Sequence, residues 1–158
     1  MTAQRTIADL LAESEFLAGL DPEAVAFIAG CGQNVHFDAD EYVFREGGSA
    51  DRFYILREGR VALETFVPGR GPLVIDTVGA HQLLGASWLV PPYRWMFDGR
   101  AVEPVRAVAL DGACIRAKCE DDTKLGFELM KRVAVVIQSR LQSARLRLLD
   151  LYGAGRGD

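Results

Sequence analysis

The spacing of apolar residues divides the chain into a helical start, a long middle part and a helical end. Near the N-terminus, apolar positions at helical intervals predict an amphipathic helix with one buried face: Ile7, Leu10, Leu11, Phe16, Leu17 and Leu20. Asp21, Pro22 and Glu23 then supply an N-cap, a first-turn proline and an acid at the positive helix end. They predict a second short helix over about residues 22–31.

In the middle part, from residue 33 onwards, apolar and polar residues alternate with a period of two. Glycine, proline and aspartate interrupt these runs at short intervals, which predicts about eight short strands in a sandwich or barrel. Glu58-Gly59 separates YILR from RVALE and predicts a hairpin turn. The segment RAVEPVRAVALDGACIRA, residues 100–117, predicts the last β region, around Pro104.

The period returns to 3.6 after residue 122 and predicts one long helix over about residues 123–151. Eight of its residues form a single a/d stripe: Phe127, Met130, Ala134, Ile137, Leu141, Ala144, Leu148 and Leu151. A second stripe widens the first half: Leu125, Leu129, Val133 and Val136. We expect one face to pack on the protein's own domain and the eight-residue stripe to form a homodimer seam. A single surface helix packed on its own barrel is the alternative.

Length and composition favour one globular domain over residues 1–152, followed by a disordered tail over residues 153–158. The net charge of −4 and the pI of about 5.2 argue against a nucleic-acid binder, so no direct DNA binding is expected. The sequence has no apolar run of membrane-spanning length and no signal-like N-terminus. Three cysteines without CxxC spacing are typical of reduced thiols, which favours a cytoplasmic location.

Candidate catalytic and metal-binding residues are few. Cys114 and Cys119 could form a weak metal or redox site, but burial as small apolar residues is the better interpretation. His36 and His81 are isolated in the sequence, which is more typical of satisfied surface or half-buried residues than of ligands. No nucleophile elbow, P-loop or HExxH motif occurs in the sequence. We therefore expect a non-enzyme without a metal or a cofactor.

The stretch EGGSADRFYILREGRVAL, residues 46–63, resembles the cyclic-nucleotide-binding domain of bacterial cyclic-AMP receptor/FNR-type regulators, kinase regulatory subunits and gated channels. The likeness rests on Glu46-Gly47, Asp51 in a short loop, the aromatic–aliphatic strand 53–56 and Gly59, and it extends over about residues 15–150. It implies an α+β, mainly β fold: a β-roll of jelly-roll type with N-terminal helices and a long C-terminal dimerisation helix.

The same resemblance bears on how the protein would act. Transcription factors of this family carry a helix-turn-helix domain after the long helix, and here only six residues follow Tyr152. We therefore expect a stand-alone sensor module that binds a small-molecule effector. Its output would pass through an unknown protein partner or through the dimer itself.

In this family a phosphate-binding cassette holds the ligand, and the resemblance implies this role for LLGASWLVPPYRW, residues 83–95. A short helix after a Gly-Glu pair offers N–H groups to the phosphate, an arginine clamps it, and the glutamate accepts a hydrogen bond from the ribose 2′-hydroxyl. Here Gly85 is kept and Ala86 replaces the glutamate. Ser87 can donate its hydroxyl, and Arg94 is the candidate clamp.

The first hypothesis for this stretch is a pocket for a cyclic nucleotide or a related anion. Trp88 or Trp95 would then stack on a base. The candidate ligand-binding residues are Gly85, Ala86, Ser87, Trp88, Arg94 and Trp95. Counting back from the next strand instead puts the arginine position at Trp95, and Arg100 inside that strand is a further candidate clamp.

Two other hypotheses remain open. In one, the cassette is degenerate: Trp88, Tyr93 and Trp95 fill the pocket, Arg94 pairs with an acid such as Glu103, and the domain works by dimerising. In the other, the pocket is retuned for an apolar or aromatic effector. The three hypotheses differ in whether Arg94 faces into an open pocket.

Overall fold

The protein is a β-roll of two antiparallel sheets flanked by helices, in a computed structural model that describes residues 6–155. The helices are α1 (Ile7–Glu13), α2 (Pro22–Gly30), α3 (Gly112–Asp121) and α4 (Thr123–Gly155). The strands are β1 (Gly32–Phe37), β2 (Tyr42–Phe44), β3 (Arg52–Glu58), β4 (Val61–Val67), β5 (Gly71–Val78), β6 (Leu83–Leu84), β7 (Asp98–Ala101) and β8 (Val105–Asp111). The predicted mainly β fold, with helices at both ends, is confirmed.

The two sheets have the strand orders β1-β8-β3-β6 and β2-β7-β4-β5. Strands far apart in sequence are therefore neighbours, as β1 and β8 are, in the manner of a jelly roll. One hydrophobic cluster joins buried residues of both sheets to α1, α2 and the first half of α4. The cassette connects β6 to β7 and thus crosses from one sheet to the other.

The Glu58-Gly59 turn connects the two sheets, so the predicted hairpin is wrong. β3 pairs with β6 and β8, whereas β4 pairs with β5 and β7. Gly59 has a φ of +92°, and a Cβ there would lie 2.4 Å from the carbonyl oxygen of Pro104. The glycine does mark a tight turn, but the turn redirects the chain across the core. Alternation along a strand does not reveal which neighbour it pairs with.

We expect Gly59→Ala to lower the free energy of unfolding by about 2 kcal/mol or more, because steric overlap with Pro104 is added to an unfavourable φ. Chemical denaturation would measure the loss. Gly69→Ala is the matched control, since Gly69 has a φ of +82° but nothing within 4 Å of an added Cβ. Equal losses in the two variants would show that the contact with Pro104 has no cost.

Helix α1 ends at Glu13, earlier than the apolar spacing predicts. The hydroxyl of Ser14 donates to the carbonyl oxygen of Leu11 at 2.7 Å, which competes with continuation of the helix. Phe16 and Leu17 lie in the turn that follows and are nevertheless buried. The apolar pattern therefore identified core residues correctly, although only the first of them belong to a helix.

The last β region is shorter than predicted, because β8 ends at Asp111 and α3 follows at once. The carboxylate of Asp111 accepts a hydrogen bond from the backbone N–H of Cys114 at 3.1 Å and so caps α3. Ile115 is fully buried and attaches the helix to the core. The Asp-Gly pair at residues 111–112 starts a helix here, whereas the alternating pattern extended the strand to residue 117.

Helix α4 has two faces with opposite burial. Leu125, Leu129 and Val133 are buried against the protein's own core, as expected for the second stripe. The eight-residue stripe is largely exposed: Phe127, Met130, Ala134, Ile137, Leu141 and Leu148 are exposed, and Ala144 and Leu151 are half-buried. The helix continues to Gly155, beyond its predicted end, and the rest of the predicted disordered tail, 156–158, lies outside the described residues. Within residues 6–155, no helix is both long and apolar enough to cross a membrane.

Candidate functional site

The cassette is held against the loop that carries the Glu-Gly motif. After β6 it forms a three-residue 3-10 helix, Ser87–Leu89, and then runs along residues 47–50. The N–H of Gly47 donates to the carbonyl oxygen of Trp95 at 2.8 Å, and the N–H of Trp95 donates to Gly48 at 2.9 Å. The segment that suggested the family in the sequence and the cassette that the resemblance implies are thus in direct contact.

Arg116 of α3 anchors the same segment from the other side. Its guanidinium donates to the carbonyl oxygens of Trp88 and Ala50 and lies 4.3 Å from the ring centroid of Tyr93. Tyr93 therefore packs against α3 and is not part of the cavity wall. The sequence pattern does not reveal Arg116, because the alternation of apolar and polar residues predicts a strand over residues 112–117. If Asp111 is taken as a helix N-cap, the sequence predicts a helix that carries Arg116.

A cavity of about 400 Å³ lies between the cassette, the β-roll and α4. Its wall is mainly apolar. The β-roll contributes Phe44 and Leu63, and α4 contributes Ile137, Leu141 and Ala144. Of the candidate ligand-binding residues, five line this cavity: Gly85, Ala86, Ser87, Arg94 and Trp95.

Two arginines are the charged residues of the cavity wall, and no aspartate or glutamate of the described chain lines it. Arg94 is exposed and donates to the carbonyl oxygen of Gly47 at 3.3 Å and to the hydroxyl of Ser49 at 3.4 Å. Both acceptors are neutral, and both bonds are long. No carboxylate among residues 6–155 is therefore hydrogen-bonded to the Arg94 guanidinium beside the cavity.

Arg140 of α4 is the second cation, and the sequence analysis did not single it out as a ligand-binding residue. Its Nη2 donates to the carbonyl oxygen of Leu83 at 2.7 Å, again a neutral partner. Burial lowers the pKa of the Arg140 guanidinium, and the Asp76 carboxylate offsets this in part. The structure turns the Arg140 side chain towards the β-roll.

Trp88 belongs to the core, which corrects its predicted role in stacking on a base. Its exposed fraction is 0%, and its ring is stacked on Phe53 with the ring centroids 4.0 Å apart. Its indole Nε1 has no hydrogen-bond partner among the described residues. Such a ring has no free face for a ligand, and Trp88 does not line the cavity.

Trp95 packs beside Gly85 and partly fills the site. It is stacked on Phe44 at 4.0 Å between ring centroids, and a Cβ at Gly85 would lie 2.7 Å from its ring. Gly85 also has a φ of +96°. The glycine is thus required by the indole and by the backbone. The indole lies against the residue that the resemblance assigns to anion binding, and it also lines the cavity.

Glu103, the candidate acid for Arg94, and Arg100, the further candidate clamp, both form ion pairs elsewhere. Glu103 pairs with Arg60 at 3.4 Å and not with Arg94, so that part of the degenerate-cassette hypothesis is wrong. Arg100 makes a two-pronged contact with the buried Glu64, at 3.0 and 3.1 Å. Arg100 is therefore neutralised and does not line the cavity.

A roll of two antiparallel sheets, with a loop-held cassette and a long C-terminal helix, is the fold of the cyclic nucleotide-binding regulatory domains. This chain belongs to the cyclic nucleotide-binding domain family, whose model matches residues 34–122, more than half of the chain. The resemblance noted in the sequence is thereby confirmed.

Three known proteins illustrate what the chain is similar to. The CRP-like cAMP-activated global transcriptional regulator of Mycobacterium tuberculosis is 26% identical over 143 residues, which cover 90% of this chain and 62% of that protein. A putative cyclic nucleotide-binding protein from Geobacter metallireducens is 30% identical, with a TM-score of 0.76, over 87% of this chain and 99% of that one. The regulatory subunit of a cAMP-independent protein kinase A from Trypanosoma brucei shares the fold alone, at 19% identity and a TM-score of 0.69, over 92% of this chain and 50% of that one. The chain thus spans less than two thirds of the mycobacterial protein.

Proposed function

We propose that this protein is a regulatory sensor domain whose cavity binds a small anion with an apolar or aromatic body, a cyclic nucleotide being the first candidate. The proposal rests on the charges that line this cavity. Arg94 and Arg140 line a mainly apolar cavity, and no carboxylate of the described residues lines it with them. An anionic effector would supply the missing counter-charge, and its body would cover the apolar wall.

The hydrogen bonds of the two arginines support an anionic ligand over a neutral one. A guanidinium carries five N–H donors, and the described bonds of Arg94 and Arg140 go to neutral oxygens. Charge-assisted bonds to a phosphate are stronger than these, and a two-pronged contact suits the planar guanidinium. The partly buried Arg140 would gain most, since its surroundings disfavour the charged form when no counter-ion is bound.

The ligand would be bound without a hydrogen bond from its ribose 2′-hydroxyl to a glutamate. Ala86 lines the cavity where the family has a glutamate, and a methyl group cannot accept a hydrogen bond from a 2′-hydroxyl. Ser87 is the uncharged polar side chain of the wall, and it can donate to an anion. We therefore expect binding to depend on the phosphate and on apolar contact, with little dependence on the 2′ position.

We propose that the signal passes through a dimer of α4 helices. Ile137, Leu141 and Ala144 belong both to the cavity wall and to the eight-residue stripe. A second α4 packed on this stripe would cover the cavity mouth, so an effector and a partner helix would touch the same side chains. Effector binding would then shift the population between two dimer arrangements.

A second candidate function is an interaction module without an effector. The contact between Trp95 and Gly85 favours it, because the indole lies against the glycine that the resemblance assigns to anion binding. In this case the domain would dimerise through the same stripe, and the cavity would stay empty of nucleotides. A measurement of nucleotide binding distinguishes the two candidate functions.

Isothermal titration calorimetry with cyclic AMP, cyclic GMP and 2′-deoxy cyclic AMP tests the proposal. We expect saturable binding of at least one cyclic nucleotide, and Kd values for cyclic AMP and its 2′-deoxy analogue that agree within about twofold. If the 2′-hydroxyl did form a hydrogen bond, its loss would instead weaken binding of the 2′-deoxy analogue by about tenfold. No heat from any of the three compounds would reject a cyclic nucleotide as the effector and favour the interaction module. A much weaker 2′-deoxy analogue would contradict the argument from Ala86.

A further inference from the structure

Two cysteine sulfurs meet at the edge of the β-roll, outside the cavity. Cys31 follows the last turn of α2, and Cys114 lies in the first turn of α3, 83 positions later. Their Sγ atoms are 3.3 Å apart. Sequence spacing did not suggest this pair, because it drew attention to Cys114 and Cys119.

The backbone around the pair holds the two thiols in place. The N–H of Asp111 donates to the carbonyl oxygen of Cys31 at 3.0 Å, next to the first pair of the β1–β8 ladder. The carboxylate of Asp111 then accepts the N–H of Cys114 at 3.1 Å. One residue therefore fixes both cysteines, and their proximity does not depend on a flexible loop.

We infer that Cys31 and Cys114 form a reversible intramolecular disulfide when the protein encounters a hydroperoxide. The Cys114 thiolate would attack one peroxide oxygen, break the O–O bond and become a sulfenic acid, and the other oxygen would leave as water after taking up a proton. The Cys31 sulfur would then attack the Cys114 sulfur and displace hydroxide, which leaves as water with the Cys31 proton. In total, two thiols and one hydrogen peroxide give one disulfide and two waters.

The surroundings assign different roles to the two thiols. Cys114 is exposed and accessible to an oxidant, whereas Cys31 is half-buried. Burial, together with the contact to Cys114, raises the pKa of the Cys31 thiol to about 12. Cys31 is therefore a poor first nucleophile. Oxidation of Cys114 to a neutral sulfenic acid removes the Cys114 charge, which disfavours a Cys31 thiolate, and places an electrophilic sulfur beside Cys31.

Bond formation requires little movement. A disulfide bond is about 2.05 Å long, so the sulfurs must approach by about 1.2 Å, a distance that side-chain rotation can cover. The bond would fasten the start of α3 to the end of α2. Arg116, two residues after Cys114, holds the backbone of the cassette, so the disulfide would restrain the helix that anchors the site.

Hydrogen peroxide treatment of the reduced full-length protein, followed by thiol alkylation and peptide mapping, tests this inference. We expect one cross-linked peptide pair joining Cys31 to Cys114 within a single chain, reversed by dithiothreitol. Cross-linking should raise the Tm by about 5–10 °C, because the closed loop is long. Cys31→Ser and Cys114→Ser should each abolish both effects. Cys119→Ser is the matched control and should keep them.

Several results would overturn the inference. One is a disulfide that includes Cys119, and another is a disulfide that joins two chains. A third is accumulation of Cys114 sulfinic acid beside a free Cys31 thiol. If either serine variant fails to fold, peptide mapping of the wild type decides the question without it. This inference does not depend on the cavity, since the cross-link forms or fails whether or not an effector binds.

Discussion

Alanine at Arg94 or at Arg140 is expected to weaken cyclic AMP binding by about 10- to 100-fold. Each arginine would supply a charge-assisted hydrogen bond to the phosphate, and such a bond contributes about 1.5–3 kcal/mol. We expect the larger loss at Arg140, because it is the more buried and water screens it less. Calorimetric titration of each variant would measure the change in Kd, and light scattering should detect an unchanged oligomeric state.

Arg147→Ala is the matched control for this experiment. It removes the same charge from α4, but residue 147 is exposed and outside the cavity wall. We expect its Kd to stay within about twofold of the wild type, since screening makes a distant surface charge weak. Equal losses in all three variants would indicate a general charge effect. An unchanged Kd in both Arg94→Ala and Arg140→Ala would place the phosphate elsewhere.

The double variant Leu141→Asp/Leu148→Asp is expected to be monomeric at micromolar concentrations, at which we expect the wild type to be dimeric. The exposed fractions of these side chains are 69% and 60%, which is high for leucines on a helix face. In the proposed dimer both would be buried at the seam. Burying two unpaired carboxylates on each chain would cost far more free energy than a dimer interface of this kind contributes to association. Multi-angle light scattering would report the mass.

Leu146→Asp/Leu149→Asp provides the control for the dimer. These two leucines are also more than half exposed, but they lie outside the eight-residue stripe. We expect this variant to remain dimeric. A monomeric wild type would contradict the proposed dimer. Dissociation of the control, with an intact dimer in the Leu141/Leu148 variant, would assign the seam to a different face of α4.

The sequence predicted the fold well where periodicity and burial agree. The switch from period 3.6 to period two and back located the helical ends and the β-roll, and the two stripes of α4 have the predicted contrast in burial. It failed at connections. The same glycine turn is compatible with a hairpin or with a crossing between sheets, and which forms at Gly59 depends on long-range strand pairing. Alternation through residues 112–117 likewise concealed the helix that Asp111 caps.

The site was only partly predictable for a related reason. The cassette could be located from local sequence, because the resemblance assigns residues 83–95 to it, and Arg94 is the arginine within that stretch. Arg140 and Arg116 could not, since each reaches the cassette from a separate helix and its direction depends on tertiary packing. Trp88 and Trp95 looked equivalent in sequence. Only the fold distinguishes a ring stacked in the core from one that borders the cavity.

A crystal structure of the protein grown with cyclic AMP would test the central claim most directly. We expect density for the nucleotide in the cavity under α4, with the phosphate within hydrogen-bond distance of Arg94 and Arg140 and no side-chain acceptor at the 2′-hydroxyl. A cavity without nucleotide at saturating concentration, or a phosphate bound away from both arginines, would contradict it.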